Sequence, residues 1–205
     1  MKKLFLILAI VLYTSMCFAQ QNSTFSTGTD TVRAAAFKQG KIKFVNGIAM
    51  NSGLDVVHNL ARSNNYSAFV SAIRSGGLIE TFTSRGPITV FAPDNAAFTY
   101  LITGQLDTLM KPTHLLELDN FITYHAVRGN FKAKDISKLI HDNNGHAELT
   151  TIAGGKLVAH IDANRNIVLV DENGGESIIS TFDIPQSNGM LHMITRVLVP
   201  KYKAI

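Results

Sequence analysis

Apolar positions keep helical spacing in the first half of the chain and strand spacing in the second. Leu54, Val57, Leu60 and Ala61 recur at three- and four-residue intervals, and so do Tyr66, Phe69, Val70 and Ile73 after a capping Asn65. Each segment predicts a helix with one inward face, the second ending at a left-handed cap on Gly76-Gly77. A short helix over Leu78 to Phe82 and a turn at Ser84-Arg85-Gly86-Pro87 come next. Ile88 to Ala92 is then an unbroken apolar run, β-branched and aromatic, which is the pattern of a strand buried on both faces. Pro93 is expected to stop it, and Asp94 to cap a helical turn begun by Ala96, Ala97 and Phe98.

Helical pieces over Asn95 to Leu101 and Leu106 to Met110 are broken at Gly104 and Pro112. Thr113 can cap a longer helix through Thr123, with Leu115, Leu118, Phe121 and Ile122 on one face. The last third has strand character over Glu148 to Thr151, Lys156 to Asp162, Ile167 to Asp171 and Ser177 to Ile184. Ala153-Gly154-Gly155, Ala163-Asn164-Arg165-Asn166 and Asn173-Gly174-Gly175 can each turn the chain back between them. Ahead of the first helix, Ala34 to Asn51 is mixed, with Lys41 to Val45 readable as an edge strand.

Three blocks carry a resemblance to a known family. Thr89, Val90, Phe91, Ala92, Pro93, Asn95, Ala97 and Phe98 fit T-V-F-A-P-x-N-x-A-F, and Thr123, Tyr124, His125, Val127 and Gly129 fit T-Y-H-V-V-x-G. Ser187, Asn188, Gly189, His192, Ile194, Val197, Leu198 and Pro200 fit S-N-G-V-I-H-V-I-D-x-V-L-x-P. In this order they resemble the fasciclin domain, present once. Ala126 and Arg128 depart from the pattern, and Thr195 stands where relatives often carry an acid used in proposals about adhesion. The resemblance implies an α+β, fasciclin-like fold: a central antiparallel-rich β-sheet with several short helices packed around it. Ile48-Ala49-Met50 looks like the lead-in of bacterial members, so the fasciclin domain is expected over 46–202.

The N-terminus reads as an address. Lys2 and Lys3, the apolar stretch Leu4 to Leu12 and Cys17-Phe18-Ala19 form an export signal over 1–19, cut after Ala19. An uncleaved anchor would need about twenty apolar residues, and a lipid-modified Cys17 would follow a small residue rather than Met16. Residues 20–45 form a leader, polar and flexible at least to Arg33. Cleavage removes the only cysteine, so the mature chain has no disulfide and no thiolate, and its stability must come from packing. Loss of Lys2 and Lys3 also lowers the net charge from +4 to +2. With no basic run, that balance argues against nucleic acid or an anionic lipid surface as partner.

Catalytic and metal motifs are absent. The seven histidines form no HExxH and no close pair, and no cysteine accompanies them. His141, Asp142 and His146 surround Asn143-Asn144-Gly145 as a solvated turn, and Asp171-Glu172-Asn173-Gly174-Gly175-Glu176 reads as a hairpin turn rather than a Ca²⁺ loop. No nucleophile elbow or phosphate loop is present. The chain is therefore expected to be no enzyme and to hold no cofactor or metal.

By resemblance, Tyr124, His125 and His192 are the candidate binding residues, since in animal relatives the tyrosine–histidine segment is implicated in receptor contact. The residues themselves favour an interior role for His125, flanked by Ile122 and Val127. The resemblance implies an exported adhesion module, in the periplasm or at the cell surface or beyond, whose partner is a cell-surface or matrix protein or glycan. It would not be an integral membrane protein after processing. The alternative is a carrier of an apolar small molecule, a carotenoid or lipid, held in slots beside His192, Met190 and Met193, although methionine on a strand is more often core.

Overall fold

The computed structural model describes residues 40–84, 86–101 and 103–201. The export signal and the leader as far as residue 39 lie outside the described residues. The last leader residues do not continue as coil: Ile42–Val45 (β1) pairs antiparallel with Ile48–Asn51 (β2). Asn46 and Gly47 turn the chain with φ of 48° and 78°, the left-handed pair that a tight hairpin needs. Val45 and Met50 point inward and are buried, which ties this hairpin to the main core.

The helical half follows the periodicity. Helices Val56–Leu60 (α1), Ser67–Ser75 (α2) and Ile79–Thr83 (α3) bury Leu60, Phe69, Ile73 and Phe82 together. Asp55 rather than Leu54 starts α1, its carboxylate accepting from the His58 N–H at 2.9 Å. Helices Gln105–Leu109 (α4) and Leu115–Thr123 (α5) come after the central strand. The expected cap Thr113 is instead inside a 3₁₀ turn, Pro112–His114, and the N-cap position falls to His114, which makes no side-chain capping bond.

Ile88–Pro93 (β3) is buried at every position, as its composition predicts. Pro93 does not interrupt it but is its last residue. The Phe91 N–H donates to the carbonyl of His125, so the nitrogen of Pro93, two residues on, turns to the same side. There the partner strand Ala126–Arg128 (β4) has already ended opposite Val90, and the missing N–H costs no ladder bond.

The remaining elements are helix Ala133–Asp142 (α6) and strands Ala147–Thr150 (β5), Lys156–Ile161 (β6), Ile167–Val170 (β7), Glu176–Gln186 (β8) and Gly189–Ile194 (β9). They form one seven-stranded sheet in the order β4-β3-β9-β8-β7-β6-β5, antiparallel except for the parallel pair β3 and β9. The sheet curls until its ends touch: Val127 bridges Thr151, and the Ile152 N–H donates to the Ala126 carbonyl at 2.7 Å. One side of β3 and β9, with Val90, Ala92, Leu191 and Met193, joins the helical core. The other, with Phe91 and Ile194, joins a second core of Leu157, Leu169, Ile136 and Ile140 inside the curl. The fold is thus α+β with an antiparallel-rich sheet and short helices around it.

Gly189 shows why the last block needs glycine. Its φ is 150°, and a Cβ there would lie 1.8 Å from the Ile88 carbonyl oxygen, where β9 starts beside β3.

Candidate functional site

The residues that carry the family resemblance converge on the interior of the sheet. His125 follows the last turn of α5 and has no exposed surface. Its Nδ1 lies 2.9 Å from the Phe121 carbonyl, which can only accept, and its Nε2 receives the Leu198 N–H at 3.0 Å. That pairing fixes the neutral tautomer with hydrogen on Nδ1. Burial pushes the imidazole down to about 4, against a smaller opposing effect of the Phe121 bond. Phe69 and Phe121 pack edge-on or tilted against the ring, with centroids 5.4 and 5.2 Å away.

His192 is also without exposed surface and makes the mirror-image choice. Its Nε2 donates to the Phe131 carbonyl at 2.8 Å, and its Nδ1 faces the Asp183 N–H at 3.4 Å. Its ring stacks on Phe91, 5.7 Å between centroids, and burial lowers its affinity for a proton. Tyr124 completes the set: its hydroxyl donates to the Lys156 carbonyl at 2.6 Å and accepts from the Glu172 N–H at 3.1 Å. Burial raises the Tyr124 phenol, and the nearby Glu172 and Asp171 charges add to that, partly offset by the Glu172 N–H bond. Tyr124, His125 and His192 are each spent on backbone groups of their own chain, which is the interior role that the residues around His125 favour.

Three other polar members of the blocks are also bonded to backbone groups of the chain. Thr89 Oγ1 donates to the Gly129 carbonyl and accepts from the Phe131 N–H. Asn95 accepts from the Ala68 N–H in the first turn of α2 and donates to the Asn64 carbonyl. Asn188 accepts from the Val56 N–H at the start of α1 and donates to the Phe82 carbonyl at the end of α3. These side chains are staples between helices and sheet.

Sequence reasoning missed Asp183. It sits at φ 57° in the irregular stretch of β8, accepts from the Ala133 N–H at 2.7 Å through Oδ1, and so caps α6, while its own carbonyl receives Lys43 Nζ. The one signal in the chain is the loss of strand alternation at Phe182-Asp183, where Phe182 is left half exposed. The alternative of an apolar carrier would need slots beside His192, and among the described residues Met190 and Met193 there are each 3% exposed and packed as core.

The two acidic turns are satisfied internally. Asp171 accepts from the N–H groups of Asn173, Gly175 and Val199, which makes its loop a hairpin turn. His141 and Asp142 are the exposed last turn of α6, ahead of the turn at Asn144 and Gly145. Among the described residues no three His, Cys, Asp or Glu side chains are placed to share a metal ion, and no helix is long and apolar enough to cross a membrane.

On the surface, a groove of about 1200 Å³ runs between α4 and α5 on one side and the Gly154 turn, Glu172 and Pro200 on the other. Leu116 projects there, 81% exposed, and Tyr124 lies just beneath Gly155. A smaller hollow of about 430 Å³ opens between the Asn46 turn, the Asp94–Tyr100 loop and the paired strands β8 and β9.

Known proteins share this arrangement. The family model described as Fasciclin domain matches residues 64–200. Protein sll1483 of Synechocystis sp. is 28% identical over 86% of this chain and 91% of its own length. Pig transforming growth factor-beta-induced protein ig-h3 is 32% identical over 74% of this chain, and human periostin 25% over 91%; the chain spans about a fifth of each. A FAS1 domain pair from the insect cell adhesion molecule Fasciclin I has the same fold, with a TM-score of 0.61 at 15% identity, covering 71% of this chain and 51% of that one. With most of its length under the family model, and motif residues of all three blocks bonded to backbone groups of the fold, the chain belongs to the fasciclin domain family.

Proposed function

We propose that this protein is an exported, non-catalytic adhesion module whose partner is a cell-surface or matrix protein or glycan. One observation carries the reading. The buried polar side chains of the three family blocks, Thr89, Thr123, Tyr124, His125, Asn188 and His192, are turned inward to hold the fold, so chemistry with a partner is left to the loops and hollows that this frame presents. Fasciclin domains occur in adhesion proteins, and the insect relative of known structure is a cell adhesion molecule, which supports the same role here. Export rests on the sequence of residues 1–19.

Attachment of beads coated with the mature chain to cells of the source organism tests adhesion, with beads coated in an unrelated protein of similar charge as reference. Equal attachment by both sets the reading aside. N-terminal sequencing of the exported protein is expected to begin at Gln20, and recovery of Lys2 in that material would refute cleavage.

A further inference from the structure

The hollow beside Tyr100 has the composition of a saccharide site. Its walls are Asn46 from the β1–β2 turn, Asp94 and Thr99 from the loop after β3, and Thr181 from β8. At the edge stands Tyr100, a large aromatic ring left 61% exposed, with the Arg196 guanidinium 4.5 Å from its centroid. At about 430 Å³ the hollow is within the ~300–1,000 Å³ range of small-molecule sites.

Near Asp94, but not part of the lining, is the wholly buried Tyr66, whose hydroxyl is the one buried side-chain polar atom among the described residues that has no hydrogen-bond partner. Burial raises the Tyr66 phenol, the Asp94 charge adds to that, and the Asn46 side chain offsets part of it. A buried hydroxyl without a partner is uncommon and costly. The hollow itself is lined by the Asn46 amide, the Asp94 carboxylate and the hydroxyls of Thr99, Ser180, Thr181 and Thr195.

We infer that this hollow binds an uncharged saccharide unit of a surface or matrix glycan. The chemistry matches on both sides. A pyranose presents a face of C–H groups that packs on an aromatic ring, and an edge of hydroxyls that both donate and accept. Tyr100 offers the ring; Asp94 accepts, the Asn46 amide does both, and the Thr99 and Thr181 hydroxyls are at hand. Charge favours a neutral sugar: the single carboxylate repels an acidic one, and the guanidinium of Arg196 is held over the tyrosine. The inference rests on the adhesion reading for its biological setting but names the site and ligand class independently of it.

Titration of ¹⁵N-labelled mature protein with cellotriose, mannotriose and N,N′,N″-triacetylchitotriose tests the site, with trigalacturonate as the acidic arm. At least one neutral trisaccharide should shift the amide signals of Thr99, Tyr100 and Thr181. Tyr100→Ala should weaken that binding about tenfold or more without lowering the melting temperature. Asp94→Asn keeps an acceptor for the Ala97 N–H, and should weaken binding while leaving the loop folded. The inference fails if no neutral sugar binds, if the shifts map elsewhere, or if only trigalacturonate binds and is released by salt. Selection of peptides that occupy the same residues when sugars do not would likewise overturn it in favour of a protein ligand. Coated beads separate the two claims. Attachment to cells unchanged by Tyr100→Ala would refute this site and leave adhesion standing, whereas sugar binding at Tyr100 without attachment would do the reverse.

Discussion

The amide of Leu198 donates to Nε2 of His125 across 3.0 Å, joining the end of helix α5 to the segment that follows the final strand. Because the opposite ring nitrogen holds the Phe121 carbonyl, one imidazole closes both bonds with no water between. His125→Ala removes the ring from between Phe69 and Phe121 and leaves a buried N–H and a buried carbonyl without partners. Cavity and lost bonds together should cost about 2–4 kcal/mol, read as a fall in the midpoint of urea denaturation. Unchanged stability combined with lost adhesion would instead make His125 a contact residue.

The same geometry sets a pH dependence. Burial opposes a charged ring, so the folded state resists the proton and the His125 pKa falls to about 4 from the ordinary 6.5; a protonated ring would also point an Nε2 hydrogen at the Leu198 N–H. Unfolded chain therefore binds more protons than folded chain between these values. Stability is fully present above pH 6.5, is lost as pH falls towards 4, and the loss is about 3 kcal/mol from this residue. His192, lowered by burial in the same direction, adds to it. Denaturation midpoints at pH 7 and pH 4.5 should differ accordingly, and the difference should shrink in His125→Gln. A flat profile over that interval would contradict the neutral assignment.

Asn188 and Gly189 give a paired test of the last block. Asn188→Ala strips partners from the Val56 N–H and the Phe82 carbonyl, both buried, and should destabilise by about 1–3 kcal/mol for each group left unpaired. Gly189→Ala should be worse, because its Cβ meets backbone rather than a movable side chain. Loss of soluble protein for Gly189→Ala, with Asn188→Ala folded but weakened, is the expected order. The reverse order would show that the close approach of β3 and β9 relaxes at little cost.

These residues also mark what could be read in advance. The strand Ile88–Pro93 was legible because a buried strand is apolar without alternation, and α2 because its apolar face repeats cleanly up to Gly76. Helix α6 went unread: Ala133, Ile136 and Ile140 are its only buried residues, and its charged remainder resembles a loop. The parallel pairing of β3 with β9 joins segments about a hundred residues apart, which no local pattern encodes. Tyr124, His125 and His192 were found as special, but a motif residue looks alike whether it meets a partner or its own backbone. The bonds to Lys156, Leu198 and Phe131 are what the structure adds to that pattern. The Tyr100 hollow was invisible because Asn46, Asp94 and Thr181 come from three separate segments.

Valency should govern how firmly the protein attaches. The three blocks occur once within the stretch that the family model matches, and a single fasciclin domain is a small module. Interfaces at the low end of the size range, below about 1,200 Å², belong to weak and transient encounters. Holding several copies together raises apparent affinity by about 10² to 10⁴ with no new contact, provided that the spacing lets them engage at once. The soluble monomer should therefore bind cells weakly and wash off, while the same chain on a bead should stay attached, and free monomer should compete poorly with the bead. Monomer and bead binding equally well at nanomolar strength would rule out avidity. That result would require a deep, dedicated ligand site, and the 1200 Å³ groove between α4, α5 and Pro200 would then be the place to look for it.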